Sequence, residues 1–324
     1  MFGGLGDRHT FPQNCKPACG TMKFSKQHVI QKPDWTETIK EVNGLVEGGD
    51  WIFRALEAPA NHKDQLKNQT VFEISVPSSF DKAWESRIWP TPMAKRWRYE
   101  AWMLREFKRA AYLYRETLPA PADYLEWLAL ARHYGMPSRL VDFTYTFYVA
   151  SYFALSGKRK DTHGFILAMN LKKLKEKTEA KLPAWRFSAR KRDRDFHNPV
   201  IFREFAFGKK PLWVVPVAPS RRNERLLNQR GLFLCPGKIE KGFEENLSAT
   251  LAPGEDLKLI CLQSDLRTKC IQVLRQMNID MRTLYPDLSG FAQSLRDLVH
   301  IDIDGSDDRF EEELKRSISA EPWC

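Results

Sequence analysis

Hydrophobic residues recur along the chain at two spacings, which predict an alternation of helices and strands. Spacings near 3.6 residues predict helices over 35–48, 97–114, 121–135, 147–156, 268–279 and 289–301. Short apolar runs predict strands over 50–57, 71–76, 138–143, 163–171, 211–217, 224–237 and 257–263. Helices at both ends, with strands distributed between them, indicate an α+β fold rather than a doubly wound βαβ protein.

The two ends of the chain differ in composition from the middle. Residues 1–44 are predicted to be an N-terminal arm and a short helix, because 1–30 are rich in Gly, Pro and polar residues typical of a mobile segment. Residues 45–295 carry the regular pattern and are predicted to form one domain. Residues 296–324 are predicted to be an acidic C-terminal tail that frays beyond 302.

Charge and motif content narrow the function classes. The 51 Lys and Arg against 41 Asp and Glu give a net charge of +10, which favours a polyanionic partner, nucleic acid first and an acidic protein second. No apolar run is long enough for a membrane span and no signal-peptide pattern follows the start, so we expect a cytoplasmic protein that does not contact a membrane. No glycine-rich dinucleotide fingerprint or P-loop is present, which argues against a Rossmann site or a Walker NTPase.

The cysteines do not predict a metal site. Cys15 and Cys19 have a spacing that suits zinc, but no second pair or His cluster stands nearby to complete four ligands. We therefore expect six reduced, mostly structural cysteines and no bound metal.

The most informative segment lies between the helices predicted at 121–135 and 147–156. His133 ends the first helix, where it either caps the C-terminus or faces a ligand phosphate or moves a proton. Gly135 stops that helix. In the strand that follows, Asp142 and Thr144 share a face and Arg139 points to the other one. Asp142 and Thr144 either cap the next helix or grip a ribose together.

Two further candidate sites carry positive charge. Arg54 stands between apolar residues of a predicted strand, either as an exposed edge residue or as an inward clamp for phosphate or carboxylate. The predicted loop 186–198 interleaves aromatic with basic residues, a pattern that suits single-stranded nucleic acid. Its candidate nucleic-acid-binding residues are Arg186, Arg190, Lys191, Arg192 and Arg194.

Several of these stretches together resemble the FRG domain, a bacterial and phage-associated family named for a Phe-Arg-Gly stretch. The resemblance rests on WIFRA (51–55), EWLALARHYGMPSRLVDFTYTFYVASYFA (126–154), RLLNQRGLFLC and LYPDLSG (284–290), and covers 45–295. Ala55 stands where the family usually has Gly, and Ser138 where Thr is usual.

The family is similar in layout to ADP-ribosyltransferases, which implies a mixed or antiparallel split β-sheet core flanked by helices. It also implies a site that binds NAD as co-substrate, with Arg54 against its phosphates or nicotinamide ribose. Asp142 and Thr144 then lie on the second catalytic strand. Gln229 falls near the position where many such enzymes have Glu, so either Gln229 or Glu224 takes that role, or the site is altered.

The resemblance also implies a function. It gives Arg54, Asp142, Thr144 and Gln229 as catalytic residues, and Arg54, His133, Arg139 and Thr144 as NAD contacts. FRG proteins with a basic surface resemble toxins of phage-defence toxin–antitoxin systems. The expectation is therefore an ADP-ribosyltransferase that modifies RNA, with mRNA favoured, to block translation, held by an antitoxin and a chaperone. The alternatives are a non-catalytic nucleic-acid-binding or sensing module and an NAD glycohydrolase.

Overall fold

The computed structural model describes residues 21–58, 71–88, 91–157, 161–183, 199–208, 210–300, 312 and 315–316. Its strands are β1 Met22–Ser25, β2 Val29–Gln31, β3 Trp51–Leu56, β4 Val71–Ile74, β5 Val141–Thr144, β6 Gly164–Asn170, β7 Val214–Val217, β8 Gly231–Pro236 and β9 Leu257–Leu262. Its α-helices are α1 Trp35–Glu47, α2 Ser79–Glu85, α3 Arg96–Ala111, α4 Tyr124–His133, α5 Phe147–Leu155, α6 Leu171–Lys181, α7 Pro199–Arg203, α8 Glu224–Asn228, α9 Phe243–Thr250, α10 Arg267–Gln276, α11 Met281–Leu284 and α12 Leu288–Ser294.

Seven strands form one mixed sheet in the order β2-β9-β6-β3-β5-β8-β7. β2 and β9 pair in parallel, and every other neighbouring pair is antiparallel. β1 and β4 form a separate antiparallel ribbon. Helices flank this sheet, so the α+β prediction is confirmed.

The central strands are buried on both faces. In β6, Phe165 and Leu167 pack into one hydrophobic cluster, while Ile166 and Ala168 pack into the cluster on the other side. Because both faces are covered, the strand carries a continuous apolar run instead of an alternating one. Of the helices in the described ranges, each is too short or too polar to span a bilayer.

Two predictions of secondary structure are wrong. The segment 22–31 is not an arm: β1 pairs with β4, and β2 joins the sheet beside β9. The segment 224–237 is not one strand, because Asn223 caps a short helix by accepting from the Leu226 amide, and Leu226 is buried against the core. Arg230, in the left-handed region at φ 45°, then leads into β8.

The corner between α4 and β5 forms as its sequence predicts. α4 ends at His133, and Gly135 takes φ 89°, a left-handed conformation that glycine adopts without steric cost. The Met136 amide then donates to the Ala131 carbonyl oxygen, which closes the helix end. The chain turns into β5 within seven residues of α4, so the C-terminal end of α4 and β5 lie side by side.

Candidate functional site

Within the seven-stranded sheet, β3 and β5 have the shortest stretch of backbone pairing. Their register joins only Phe53 with Thr144, whereas β3 pairs along its whole length with β6 on its other side. Across this gap, Arg54 Nη1 donates a hydrogen bond of 2.7 Å to the Asp142 carbonyl oxygen. A side chain therefore joins the two strands where backbone pairing has stopped.

Asp142 is held on its other side by Arg132. Arg132 Nε lies 2.9 Å from Asp142 Oδ2 and 3.1 Å from Oδ1, and Arg132 Nη2 also contacts Oδ2. Arg132 Nη1 donates to Ser79 Oγ at 2.7 Å. The fork of Arg132 thus anchors the end of α4 to β5 and to the start of α2.

These groups shift one another's pKa values. Burial raises the pKa of Asp142, but Arg132, with Arg54 and Arg225, more than offsets burial and holds the pKa below its ordinary value. Burial lowers the pKa of Arg54 to about 10, opposed by Asp142 and assisted by Arg132. At neutral pH the carboxylate is ionised and the guanidinium groups are charged.

Two pockets adjoin at Asp142. The first pocket, of about 250 Å³, is polar on one side, and its lining includes Ser79, Arg132, His133, Asn223 and Met136. The second pocket, of about 160 Å³, has aromatic and aliphatic walls, and its lining includes Phe53, Arg54, Thr144, Phe153 and Tyr285. Both are also lined by Asp142, Arg225 and Gln229. Asp142 is the sole carboxylate among the described residues that line either pocket.

The segment from α8 to Gln229 is tied to α11 and to Tyr285, which lines the second pocket. Arg225 Nη2 donates to Tyr285 Oη at 2.7 Å, and its guanidinium carbon lies 4.1 Å from the centre of the Tyr285 ring. Gln229 Nε2 donates to the Leu284 carbonyl oxygen at 3.2 Å, and Asn228 Nδ2 to that of Thr283 at 2.7 Å. Tyr285 is therefore held by Arg225, and α11 before it by Asn228 and by Gln229, the residue that follows α8.

Thr144 is placed by local structure. Its hydroxyl donates to the Gln229 carbonyl oxygen at 2.7 Å and accepts from the Thr146 amide at 3.1 Å. The cap of α5 is Thr146, whose hydroxyl accepts from Val149, so capping is the role of neither Asp142 nor Thr144. Asp142 and Thr144 line the second pocket together, as their spacing predicts.

His133 faces the first pocket from the end of α4. Its Nδ1 is buried with no hydrogen-bond partner in the described part of the chain. Burial lowers the pKa of His133, the charges of Arg225 and Arg115 lower it further, and Asp287 opposes them. The imidazole is therefore neutral at pH 7, and it faces the pocket instead of capping the helix through that nitrogen.

Arg139 lies apart from the pockets. It is 1% exposed, and its Nε lies 2.8 Å from Glu100 Oε2, which also accepts from Tyr124 Oη at 3.0 Å. Glu100 is itself fully buried. The structure therefore brings together Arg54, His133, Asp142, Thr144 and Gln229. It leaves Arg139 out, because that side chain pairs with the buried Glu100 of α3.

Three contributors were not expected at the site: Arg132, Arg225 as a pocket residue, and Tyr285. Arg225 and Tyr285 lay inside stretches that carry the family resemblance, which was the available signal. Arg132 lies inside such a stretch too, within 126–154, but its side chain was not singled out among the basic residues on helices. The candidate nucleic-acid residues Arg186, Arg190, Lys191, Arg192 and Arg194 lie outside the described residues, as do Cys15 and Cys19.

One segment of the chain matches a known protein family. The family model of the FRG domain matches residues 72–163. The match runs from β4 to the residue before β6, and it includes Arg132, His133, Asp142 and Thr144. Arg54, Arg225 and Gln229 lie outside it. No curated protein and no solved structure matches the chain.

Proposed function

We propose that this chain is an NAD-dependent ADP-ribosyltransferase whose cleft comprises the two pockets that meet at Asp142. The observation that carries the proposal is the convergence of three arginines on Asp142 at the gap between β3 and β5. Arg132 pairs with its carboxylate, Arg54 donates to its carbonyl oxygen, and the charge of Arg225 helps to lower its pKa. Three guanidinium groups against one carboxylate leave a net positive site, which suits the diphosphate of a dinucleotide.

The second pocket suits the nicotinamide end. Phe53, Phe153 and Tyr285 line it, and a planar aromatic ring packs well against such walls. Arg54 stands beside them with Nη1 already bonded to the Asp142 carbonyl, so its orientation is fixed before a ligand arrives. A positioned cation of this kind holds the diphosphate without reorganising during the reaction.

The reaction needs few groups. The bond between the nicotinamide nitrogen and the ribose anomeric carbon breaks, and its electron pair leaves with nicotinamide. A lone pair of the acceptor then forms the new bond to that carbon, and the acceptor's proton passes to a base. Asp142 is the ionised carboxylate within the cleft, and it is our candidate for offsetting the positive charge of the ribose or for taking that proton.

Gln229 takes the position of the usual Glu with a neutral group. Because its amide nitrogen donates to Leu284, the amide oxygen is the atom that accepts from a ribose hydroxyl. Gln229 thus orients the ribose but adds no charge. This observation favours a second candidate, a module that binds a phosphorylated nucleotide without cleaving it.

Transfer from labelled NAD tests the proposal. Purified protein is incubated with adenylate-labelled NAD and with cellular RNA, cellular protein or neither, alongside Arg54→Ala and the exposed control Arg105→Ala. Label on RNA or protein, lost in Arg54→Ala alone, supports a transferase. Free ADP-ribose without an acceptor identifies a glycohydrolase. If the protein binds NAD but does not consume it, the result supports the non-catalytic module.

The cellular role is a proposal that follows from the family resemblance. In this proposal the acceptor is RNA and the protein acts in the cytoplasm. Its partners are an antitoxin and a chaperone that restrain the toxin during antiviral defence. Expression of the wild type should then arrest translation, and Arg54→Ala should not.

A further inference from the structure

A third pocket adjoins the first on the side away from Tyr285. It has a volume of about 90 Å³, and its lining includes Arg115, Arg221 and Arg222. It shares Asn223, Leu226, Phe233 and Ala129 with the first pocket, so the two lie against the same side chains. All three of its arginines are exposed at the surface.

Its one acidic side chain is already engaged. Glu126 is 7% exposed and accepts from the Arg221 amide at 3.0 Å and from the Ser220 hydroxyl. These contacts hold the loop that carries Arg221 and Arg222 against α4. Because the carboxylate turns inward to backbone and hydroxyl donors, the guanidinium groups of Arg221 and Arg222 remain to face an anion from solvent. Arg115 adds its charge beside them, with Nε donating to the Thr117 carbonyl oxygen at 2.9 Å.

Tyr134 contacts one lining residue of each of these two pockets. The residue is 60% exposed, its hydroxyl lies 3.4 Å from Arg115 Nη1, and its ring meets that of His133 at 4.8 Å between centres. Arg115 belongs to the third pocket and His133 to the first. An exposed aromatic face therefore lies on the path from the candidate NAD cleft to the cluster of arginines.

We propose that the third pocket and Tyr134 bind a single-stranded nucleic acid, with phosphates on Arg115, Arg221 and Arg222 and a base stacked on Tyr134. An exposed ring beside guanidinium groups is how proteins hold single strands, because a duplex hides the base faces that the ring needs. The inference deepens the proposed function, since it takes the bound strand as the acceptor whose next base enters the first pocket.

Binding is measured in the absence of NAD, by fluorescence anisotropy with a fluorescein-labelled RNA 12-mer of mixed sequence and with the same RNA in a blunt duplex. The double variant Arg221→Ala/Arg222→Ala is compared with Arg105→Ala/Arg109→Ala, which removes the same charge from side chains of α3 that are 66% and 71% exposed. Tyr134→Ala is compared with Tyr134→Phe, which keeps the ring.

The wild type is expected to bind the single strand more tightly than the duplex. Arg221→Ala/Arg222→Ala should weaken RNA binding about tenfold. The slope of log affinity against log salt should fall by about two, which corresponds to about two lost phosphate contacts. The α3 control should change the RNA affinity much less. Tyr134→Ala should weaken binding about tenfold, and Tyr134→Phe should bind like the wild type. Unfolding midpoints show that each variant is folded.

Three results would overturn this inference: equal loss in the α3 control, tighter binding of the duplex, or displacement of the RNA by poly-glutamate at matched charge. The proposed function fails separately. If RNA binding behaves as expected and NAD is never consumed, the proposed activity is wrong and the proposed binding surface is supported. If NAD is consumed and Arg221→Ala/Arg222→Ala binds RNA normally, the proposed activity is supported and the binding surface is wrong.

Discussion

Arg54 Nη1 donates a 2.7 Å hydrogen bond to the carbonyl oxygen of Asp142, a residue 88 positions later in the chain. The bond spans the gap between β3 and β5, where strand pairing is limited to Phe53 and Thr144. Arg54 thereby has two tasks: it joins the two parts of the sheet with one nitrogen, and it presents the rest of its guanidinium to the second pocket.

These two tasks predict that lysine cannot replace Arg54. A lysine ammonium is one point charge without the planar fork, so it does not hold the Asp142 carbonyl and a diphosphate in the same geometry. We expect Arg54→Lys to lose about 100-fold in the rate of NAD cleavage, the same loss that we expect for Arg54→Ala. Arg105→Lys on α3 is the matched control. Wild-type rates in Arg54→Lys would show that charge alone is needed.

Asp142 and Arg132 should be coupled in stability. Arg132→Met leaves the carboxylate without its main partner, and we expect the free energy of unfolding to fall by about 1–3 kcal/mol. Asp142→Asn should reduce the effect of Arg132→Met in a double-mutant cycle measured by urea unfolding. Additive effects of the two substitutions would contradict the pairing.

The same pair gives a dependence on pH. The pKa of Asp142 is lowered in the folded protein, so the pair contributes stability that is present above the ordinary value of 3.8 and is lost as the pH falls through the folded pKa. The difference between the wild type and Arg132→Met should therefore shrink below pH 4. If the difference in free energy of unfolding stays constant down to about pH 2.5, the effect of Arg132→Met comes from packing and not from the ion pair.

Arg139 and Glu100 predict a structural role separate from NAD. Glu100→Gln weakens a fully buried ion pair and should lower the free energy of unfolding by about 3–5 kcal/mol. The apolar pair Glu100→Leu/Arg139→Met should recover most of that loss and bind NAD like the wild type, as measured by calorimetry. Loss of NAD binding in a stable double variant would place Arg139 in the cofactor site after all.

His133 should titrate below its ordinary pKa of 6.5. Since the folded state then binds fewer protons than the unfolded state just below pH 6.5, stability should fall as the pH is lowered through that window. His133→Gln should remove this part of the pH dependence. NMR of the imidazole carbons follows the titration directly, with His133→Gln assigning the resonance; a value above 6.5 would contradict the environment described for this ring.

Local signals in the sequence predict the corner of the site well. The stop at Gly135 follows from glycine conformation, and the joint position of Asp142 and Thr144 at one pocket follows from the two-residue period of a strand. Arg139 lies before β5, so that period does not decide where its side chain points. The gap that Arg54 spans is a property of pairing between strands far apart in sequence, and no local spacing encodes it.

The errors have the same cause. β1 and β2 are short and partly polar, and they are strands because β4 and β9 supply their partners. α8 looked like part of a strand because Leu226 and Leu227 precede the apolar run of β8, yet Asn223 caps a helix there. Arg132 was missed because its partner is ten residues away, across a turn that had to be folded first.

The release of nicotinamide tests the central claim most directly, because both transfer and hydrolysis produce it. NAD is incubated with the wild type, Arg54→Ala and Arg105→Ala, with and without single-stranded RNA, and nicotinamide is quantified by chromatography over time. We predict release by the wild type and Arg105→Ala, faster with RNA, and a loss of about 100-fold in Arg54→Ala. Equal release from wild type and Arg54→Ala, or none from a wild type that binds NAD, would contradict it.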